Sequence, residues 1–125
     1  MYMLGLRRDF EATHALVGGD WGAKNQPHRH NYRLELRLEA EQLTPHGFVA
    51  DLIGVEAALD RLLERYAGAD LNCLPEFSGL NPSMEHFARI LAEGLAAALQ
   101  SAGLATISVQ VWESDTAWAQ YRIEF

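Results

Sequence analysis

Strict alternation between residues 28 and 40 constrains the fold more than any other part of the sequence. The even positions read His, His, Tyr, Leu, Leu, Leu, and the odd positions from Arg29 to Glu39 read Arg, Asn, Arg, Glu, Arg, Glu. Because side chains two apart on a β-strand point the same way, this pattern predicts a long strand with one apolar and one charged face. His28 and His30 then lie on the apolar face, where an imidazole needs a hydrogen-bond partner or a metal.

The preceding segment carries a second, less regular alternation. Between Tyr2 and His14 the even positions are mainly apolar, with Arg8 as the exception. If this register holds, His14 ends a first strand on the same face as Leu6 and Phe10. Three glycines and a proline between residues 17 and 27 predict a loop, so the second strand returns antiparallel to the first.

After residue 50 the apolar residues change to helical spacing. A first helix is predicted from about Asp51 to Tyr66. A second begins at "NPSME", with Asn81 as N-cap and Pro82 at the first helical position, and Gly103 closes it.

Two short alternating segments end the chain, the first through Ile107, Val109 and Val111 and the second from Ala119 to Phe125. The order ββααββ predicts an α+β fold in which two helices cover one side of a four-stranded antiparallel sheet. No repeat or linker divides the sequence. Residues 1–125 are therefore interpreted as a single domain.

The charge balance argues against some functions. Seventeen acidic residues against ten basic ones give a net charge of −7, which disfavours binding to a nucleic-acid backbone. No apolar run approaches the roughly 20 residues of a membrane span, and the first residues lack the pattern of a signal peptide. Cys73 is the only cysteine, so no internal disulfide forms. We therefore expect a cytoplasmic protein with neither a membrane nor a nucleic-acid partner.

The strongest candidate site is the set of three histidines on the apolar strand face. His28 and His30 form a His-x-His pair, and His14 on the neighbouring strand can supply a third imidazole. Three imidazoles commonly bind Zn²⁺ and leave a fourth position for water or substrate. The spacing alone leaves open the alternative that these histidines are hydrogen-bonded to backbone or water.

A second candidate, Glu113, follows Val111 at a two-residue step and so ends an apolar strand face. A buried carboxylate there needs donors, from a ligand or from an arginine or lysine. The alternative is that "ESD" is simply a polar turn. Trp112 and Trp118 fall on the opposite, polar strand faces, and two tryptophans on one sheet face suggest a subunit interface. Asp51 and Glu85 are expected to interact with helix N-termini.

The motifs "FEATH" (10–14), "HRHNY" (28–32), "LN" (71–72), "NPSMEHFA" (81–88) and "VWES" (111–114) together resemble the 6-pyruvoyltetrahydropterin synthase family, which includes 6-carboxytetrahydropterin synthase. The resemblance implies the tunnelling fold (T-fold), in which ββααββ units assemble into barrels, usually as hexamers. It places zinc ligands at His14, His28 and His30, the glutamate that anchors the pterin ring at Glu113, and a second ring contact at Ser83.

Family members eliminate triphosphate from 7,8-dihydroneopterin triphosphate and rearrange its side chain. The sequence departs from their pattern at the proton-transfer residues. Lys24, the only lysine, stands at the position of the usual catalytic cysteine, and Ala67 and Gly68 stand at the positions of an Asp-His pair. Lys24 can act as a base or bind phosphate, or it can be a solvated loop lysine. Asp70 can supply a carboxylate in place of the missing pair, or it can be a loop acid.

Two hypotheses follow from the resemblance. The first is a zinc-dependent lyase that acts on 7,8-dihydroneopterin triphosphate or a related pterin with altered chemistry. The second is a non-catalytic zinc protein that keeps a pocket for a pterin or purine-like ring. Both imply a small-molecule ligand and a homo-oligomer.

Overall fold

A computed structural model describes residues 1–100 and 103–125 and shows one four-stranded sheet beside two helices. The strands are β1 (Tyr2–His14), β2 (His28–Ala40), β3 (Thr106–Trp112) and β4 (Trp118–Glu124), and the helices are α1 (Leu52–Glu64) and α2 (Met84–Leu99). All neighbouring strands are antiparallel in the order β1-β2-β3-β4, which confirms the predicted ββααββ arrangement. Within the described ranges, neither helix has the length and apolar character needed to cross a bilayer.

The two faces of the sheet are the ones that the alternation predicts. In β2 the even positions from Tyr32 to Ala40 are buried, and those from Tyr32 to Leu38 belong to the same core as α2 residues such as Phe87 and Leu91. Arg8, the exception in the apolar register of β1, pairs through Nε with Asp60 of α1 at 2.8 Å. A charged residue is tolerated on this face because a helix carboxylate lies opposite it.

β2 has strand partners of unequal length on its two sides. β1 pairs with it from His14↔His28 to Tyr2↔Ala40, whereas β3 pairs only from Arg33↔Trp112 to Glu39↔Thr106. Residues 28–32 of β2, which we call the open edge, therefore have a strand partner on one side only. Because His28 and His30 belong to the open edge, both lie where the sheet is incomplete.

The start of α2 differs from the prediction. Its N-cap is Ser83, whose Oγ accepts a hydrogen bond from the His86 N–H at 3.1 Å, and the helix begins at Met84. Asn81 was predicted as the cap but binds the backbone of Val17 instead. The predicted interaction of Asp51 with the N-terminus of α1 is confirmed, since Asp51 is the N-cap and its carboxylate accepts from the Ile53 N–H.

The predicted end of α2 can be followed only in part. The last helical residue is Leu99, with Gln100 as C-cap, and Gly103 has a positive φ of 71°. Such a φ suits the residue that closes a helix. Whether Gly103 closes α2 depends on residues 101 and 102, which lie outside the described residues.

Candidate metal and ligand site

The three histidines meet at one end of the sheet, as the sequence predicts. His14 ends β1 opposite His28, and His30 lies opposite Ala12. Their ring centroids are 4.6–4.7 Å apart, and one nitrogen from each ring falls within 4.8 Å of the other two. Three imidazole nitrogens this close can hold a single metal ion.

Hydrogen bonds orient two of these rings. Nδ1 of His28 lies 2.8 Å from the Gln26 carbonyl, which only accepts, so Nδ1 carries the proton and Nε2 has the free lone pair. That Nε2 is buried and has no hydrogen-bond partner among the described residues. The Tyr32 hydroxyl lies 2.9 Å from Nδ1 of His14, and when Nδ1–H donates to the hydroxyl oxygen, Nε2 of His14 has a free lone pair. A buried nitrogen with a free lone pair fits a metal, and the donor set fits Zn²⁺.

Burial keeps His14 and His30 neutral, which is the form that binds metal. His14 is 2% exposed, and its pKa is lowered to about 4 by burial and, secondarily, by the neighbouring His30 and His28. The pKa of His30 is lowered for the same main reason, with further contributions from His28 and Lys24. At neutral pH both rings are therefore ready to act as ligands without releasing a proton.

Glu113 lies one residue beyond the end of β3, beside the open edge. It is half-buried, and burial raises its pKa; the nearby Glu85 adds to this shift, whereas Lys24 and His28 oppose it. Glu113 lines a cavity of about 700 Å³ with His30, among other residues. The carboxylate thus faces a space large enough for a small heterocyclic ligand.

Lys24 is exposed and lies in a 3₁₀ turn, Gly22–Asn25. Its backbone carbonyl accepts from the Leu16 N–H at 2.9 Å, which holds the turn against the chain that follows β1. The charge of Lys24 lowers the pKa of both His30 and Glu113. The lysine side chain is therefore within electrostatic range of both predicted binding groups.

Asp70 and Ser83 lie nearby, and both have structural partners. The Asp70 carboxylate accepts from the Asn72 N–H at 3.2 Å. Its charge makes a small contribution that opposes the lowering of the His14 pKa. Asp70 forms a parallel bridge with Thr13, next to His14. Ser83 is the N-cap of α2 and directly follows Pro82, whose backbone lies close enough to the His14 ring to oppose the lowering of its pKa. The structure thus brings every predicted site residue to the same end of the sheet.

Several residues at this end have contacts that the sequence does not predict. Tyr32 contacts His14, and the side chains of Asn25, Asn72 and Asn81 bind the chain after β1. The alternation places Tyr32 on the histidine face, which is a usable signal. Asn72 and Asn81 follow no periodic pattern, because the residues they bind, Ala15 and Val17, lie far from them in the sequence.

Residues 4–124 match the family model described as 6-pyruvoyl tetrahydropterin synthase. Among solved structures, 6-pyruvoyl tetrahydropterin synthase of Caenorhabditis elegans is 21% identical with a TM-score of 0.81, covering 99% of this chain and 98% of its own. The Plasmodium falciparum enzyme is 14% identical, with a TM-score of 0.78 and the same coverages of 99% and 98%. A catalytic-residue mutant of the Plasmodium vivax enzyme is 15% identical with a TM-score of 0.79, covering 100% of both chains.

These likenesses confirm the predicted T-fold. No curated protein gives a significant match to the sequence.

Proposed function

The chain belongs to the 6-pyruvoyl tetrahydropterin synthase family, and we propose that it is a zinc-dependent lyase acting on 7,8-dihydroneopterin triphosphate or a related pterin, with altered chemistry. The observation that carries this proposal is the three-histidine group at the open edge, with the buried and unpartnered Nε2 of His28. A tetrahydropterin synthase-like function follows from the family. The zinc, the substrate and the residue roles below are the proposed parts.

His14, His28 and His30 are the proposed zinc ligands. When bound, zinc would polarise the hydroxyls of the substrate side chain and lower their pKa. The Gln26 carbonyl keeps His28 in the tautomer that presents Nε2. Tyr32 orients the His14 ring, which presents Nε2 when Nδ1–H donates to the hydroxyl oxygen.

Glu113 is the proposed anchor of the heterocyclic ring. An ionised carboxylate accepts two hydrogen bonds side by side, which suits an amino group next to a ring N–H. Its partial burial strengthens such bonds, because little water competes for the carboxylate. Ser83 is a second proposed contact, through the O–H that its capping bond leaves free to donate.

Lys24 is the proposed proton-transfer residue, and Asp70 is a weaker candidate. Lys24 is near enough to His30 and Glu113 to influence their pKa values, so its amine can take or return a proton beside the bound substrate. The altered chemistry is inferred from the absence of ionisable side chains at Ala67 and Gly68. The Plasmodium vivax relative is described as having a catalytic glutamate, which makes a carboxylate such as Asp70 compatible with this fold.

The second candidate function is a zinc protein that binds a pterin or purine-like ring without converting it. The observation in its favour is that Asp70 is already engaged, because its carboxylate caps a 3₁₀ turn by accepting from the Asn72 N–H. A carboxylate so held is less free to approach a substrate, while Glu113 and the histidines would still bind a ligand.

Assembly into a homo-oligomer, a hexamer by resemblance, is part of the proposal. β1 and β4 form the two edges of the sheet, and apolar side chains on both are exposed, such as Met3 and Tyr121. Trp118 is half-exposed. Its ring centroid lies 6.0 Å from that of Trp112 on the neighbouring strand, on the sheet face away from the helices. Edge strands with exposed apolar residues favour pairing with another chain. The proposed location remains the cytoplasm.

Product analysis by mass spectrometry tests the proposed function. Zinc-loaded protein is incubated with 7,8-dihydroneopterin triphosphate beside Lys24→Ala and His28→Ala, with Arg61→Ala as a control that removes an exposed cation on α1. We expect a new pterin product that disappears in both site variants and persists in the control. Unchanged substrate would contradict the lyase, and tight binding of the substrate without turnover would support the second candidate.

A further inference from the structure

Asparagine side chains hold the chain immediately after His14. The Ala15 N–H donates to Oδ1 of Asn72 at 2.8 Å, and Nδ2 of Asn72 donates to the Ala15 carbonyl at 3.0 Å. In the same way, the Val17 N–H donates to Oδ1 of Asn81 at 2.7 Å, and Nδ2 of Asn81 donates to the Val17 carbonyl at 3.0 Å. Each side-chain amide therefore forms hydrogen bonds with both the N–H and the C=O of one residue, as the backbone of a neighbouring strand would.

The residue between these two is held by the loop that carries Lys24. The Leu16 N–H donates to the Lys24 carbonyl at 2.9 Å, and Nδ2 of Asn25 donates to the Leu16 carbonyl at 3.0 Å. Asn25 also accepts from the Trp21 N–H at 2.8 Å, which closes the loop on itself. The backbone N–H and C=O groups of residues 15–17 are therefore all satisfied, although β1 has ended.

The pairing needs an amide. Of the uncharged side chains, only asparagine and glutamine present one acceptor and one donor in the same plane, in the arrangement of a peptide group. Aspartate has the same size and keeps the acceptor oxygen, but it replaces the N–H donor with a second oxygen, which repels the backbone carbonyl. A leucine would leave both backbone groups without partners, which is costly wherever those groups are buried.

We propose that Asn72 and Asn81 are positioning residues, which hold residues 15–17 so that the turn bearing Lys24 stays beside the three histidines. Neither asparagine is assigned contact with substrate. The inference rests on the proposed function where it gives Lys24 a role in proton transfer. The placement of Lys24 itself is a separate claim that needs no substrate.

Because Lys24 is the only lysine, reductive methylation with carbon-13 formaldehyde labels just its amine and the N-terminal amine. The signal that is missing from the Lys24→Ala variant belongs to Lys24. Chemical shift and transverse relaxation are measured for wild type, Asn72→Asp and Asn81→Asp. Gln42→Glu serves as the control, since it makes the same amide-to-acid change at an exposed position after β2.

In wild type and the control, we expect a Lys24 signal that is shifted from that of free dimethyl-lysine and relaxes faster. In both asparagine variants we expect the signal to move to the free value and to narrow. If Asn72→Asp fails to fold by circular dichroism, Asn81→Asp decides the matter, because its hydrogen bonds lie at an exposed position. An unchanged Lys24 signal in a folded asparagine variant, or a wild-type signal already at the free value, would overturn the proposal.

Activity gives a second readout if the wild type turns over substrate. Misplacing Lys24 should lower kcat roughly 10- to 100-fold while KM changes little, because the proposed anchor of the ring is Glu113, which lies just beyond β3 and outside the turn that bears Lys24. A loss confined to KM would contradict a positioning role. If no variant or wild type shows turnover, the proposed function fails while the NMR result still decides whether the asparagines position Lys24.

Discussion

Tyr32 shows how much of the site depends on a residue that would not touch the metal. Its side chain is 1% exposed beneath the histidines, and burial, together with the nearby Glu113, raises the pKa of its hydroxyl. The hydroxyl therefore stays protonated over the whole working range of pH. A neutral phenol can bond to Nδ1 of His14 without bringing a charge into the pocket.

Tyr32→Phe should lower the affinity for Zn²⁺ about 10-fold or more, because the His14 ring loses the partner that fixes its orientation. The affinity is measured by competition with a chromogenic chelator. Tyr66→Phe is the matched control, since its hydroxyl donates to Glu76 at 2.8 Å, in the loop after α1. Equal zinc affinities for Tyr32→Phe and the control would contradict the role given to Tyr32.

Glu113→Gln should weaken ring binding about 10- to 100-fold at pH 7–8, because the amide can offer only one acceptor in place of two. Burial places the pKa of Glu113 above 4.5, and N–H donors favour the ionised form. Wild-type affinity should therefore fall as the pH drops through that raised pKa, while the affinity of the variant should not follow the same curve.

Fluorescence titration of the zinc-loaded protein with neopterin, from pH 8 to pH 5, measures this effect. Glu41→Gln, an exposed change in the turn after β2, should behave as wild type. Parallel pH curves for wild type and Glu113→Gln would rule out Glu113 as the ring anchor.

The roles of the histidines can be predicted from the sequence and those of the asparagines cannot, for a physical reason. The face of His14, His28 and His30 follows from period-two alternation, which is local and needs only the neighbouring residues. Asn72 and Asn81 act on residues 57 and 64 positions away, and such pairs form only once the fold has brought two loops together. The same distant contact explains why Asn81 was wrongly predicted as a helix cap.

At the scale of elements, one ion pair ties the loop after α1 to the helix. Nε and Nη2 of Arg65 each lie 2.6 Å from a different oxygen of Glu76, which sits in the 3₁₀ turn Pro75–Phe77. The Tyr66 hydroxyl adds a third bond. This loop also supplies Asp70 and Asn72, so the ion pair stabilises the segment that packs against the end of β1.

Glu76→Gln should lower the free energy of unfolding by about 1 kcal/mol at pH 7, a value reduced for the partial exposure of the pair. Hydrogen bonds from Arg65 hold the pKa of Glu76 at about 2, below its ordinary 4.5. A depressed pKa stabilises the fold fully above about pH 4.5, and this contribution is lost as the pH falls towards 2.

Thermal melts of the metal-free protein between pH 7 and pH 2.5 check this prediction. The difference in Tm between wild type and Glu76→Gln should be constant at neutral pH and shrink below about pH 4.5. A difference that stays the same at pH 3 would show that the ion pair is not the source of the stability.

For the whole molecule, the open sheet has two edges and little protection at either. Lysine, which commonly keeps an edge strand from pairing with another chain, is absent from both β1 and β4. Residues 68–70 cover only the last part of β1, through the Gly68 and Thr13 amides. The rest of β1 and the outer side of β4 have no strand partner within the described part of the chain.

Tyr121→Lys should lower the mass of the proposed oligomer towards the 14.0 kDa of one chain, because it places a charge at an exposed apolar position on an edge strand. Sedimentation velocity measures the mass, and Gln42→Lys adds the same charge away from both edges. An oligomer that survives Tyr121→Lys unchanged would exclude an interface built on this position of β4.

The mismatch between thirteen-residue β2 and seven-residue β3 gives this fold a simple way to vary. Each pair of residues added to the end of β3 would extend its pairing along the open edge and narrow the proposed ligand space from one side. Residues added in the turn at 114–117 would lie beyond Val111, the last buried residue of β3, and would leave the contacts between helices and sheet untouched. Insertions in this turn can therefore tune which ligands enter, independently of the residues that make the domain stable.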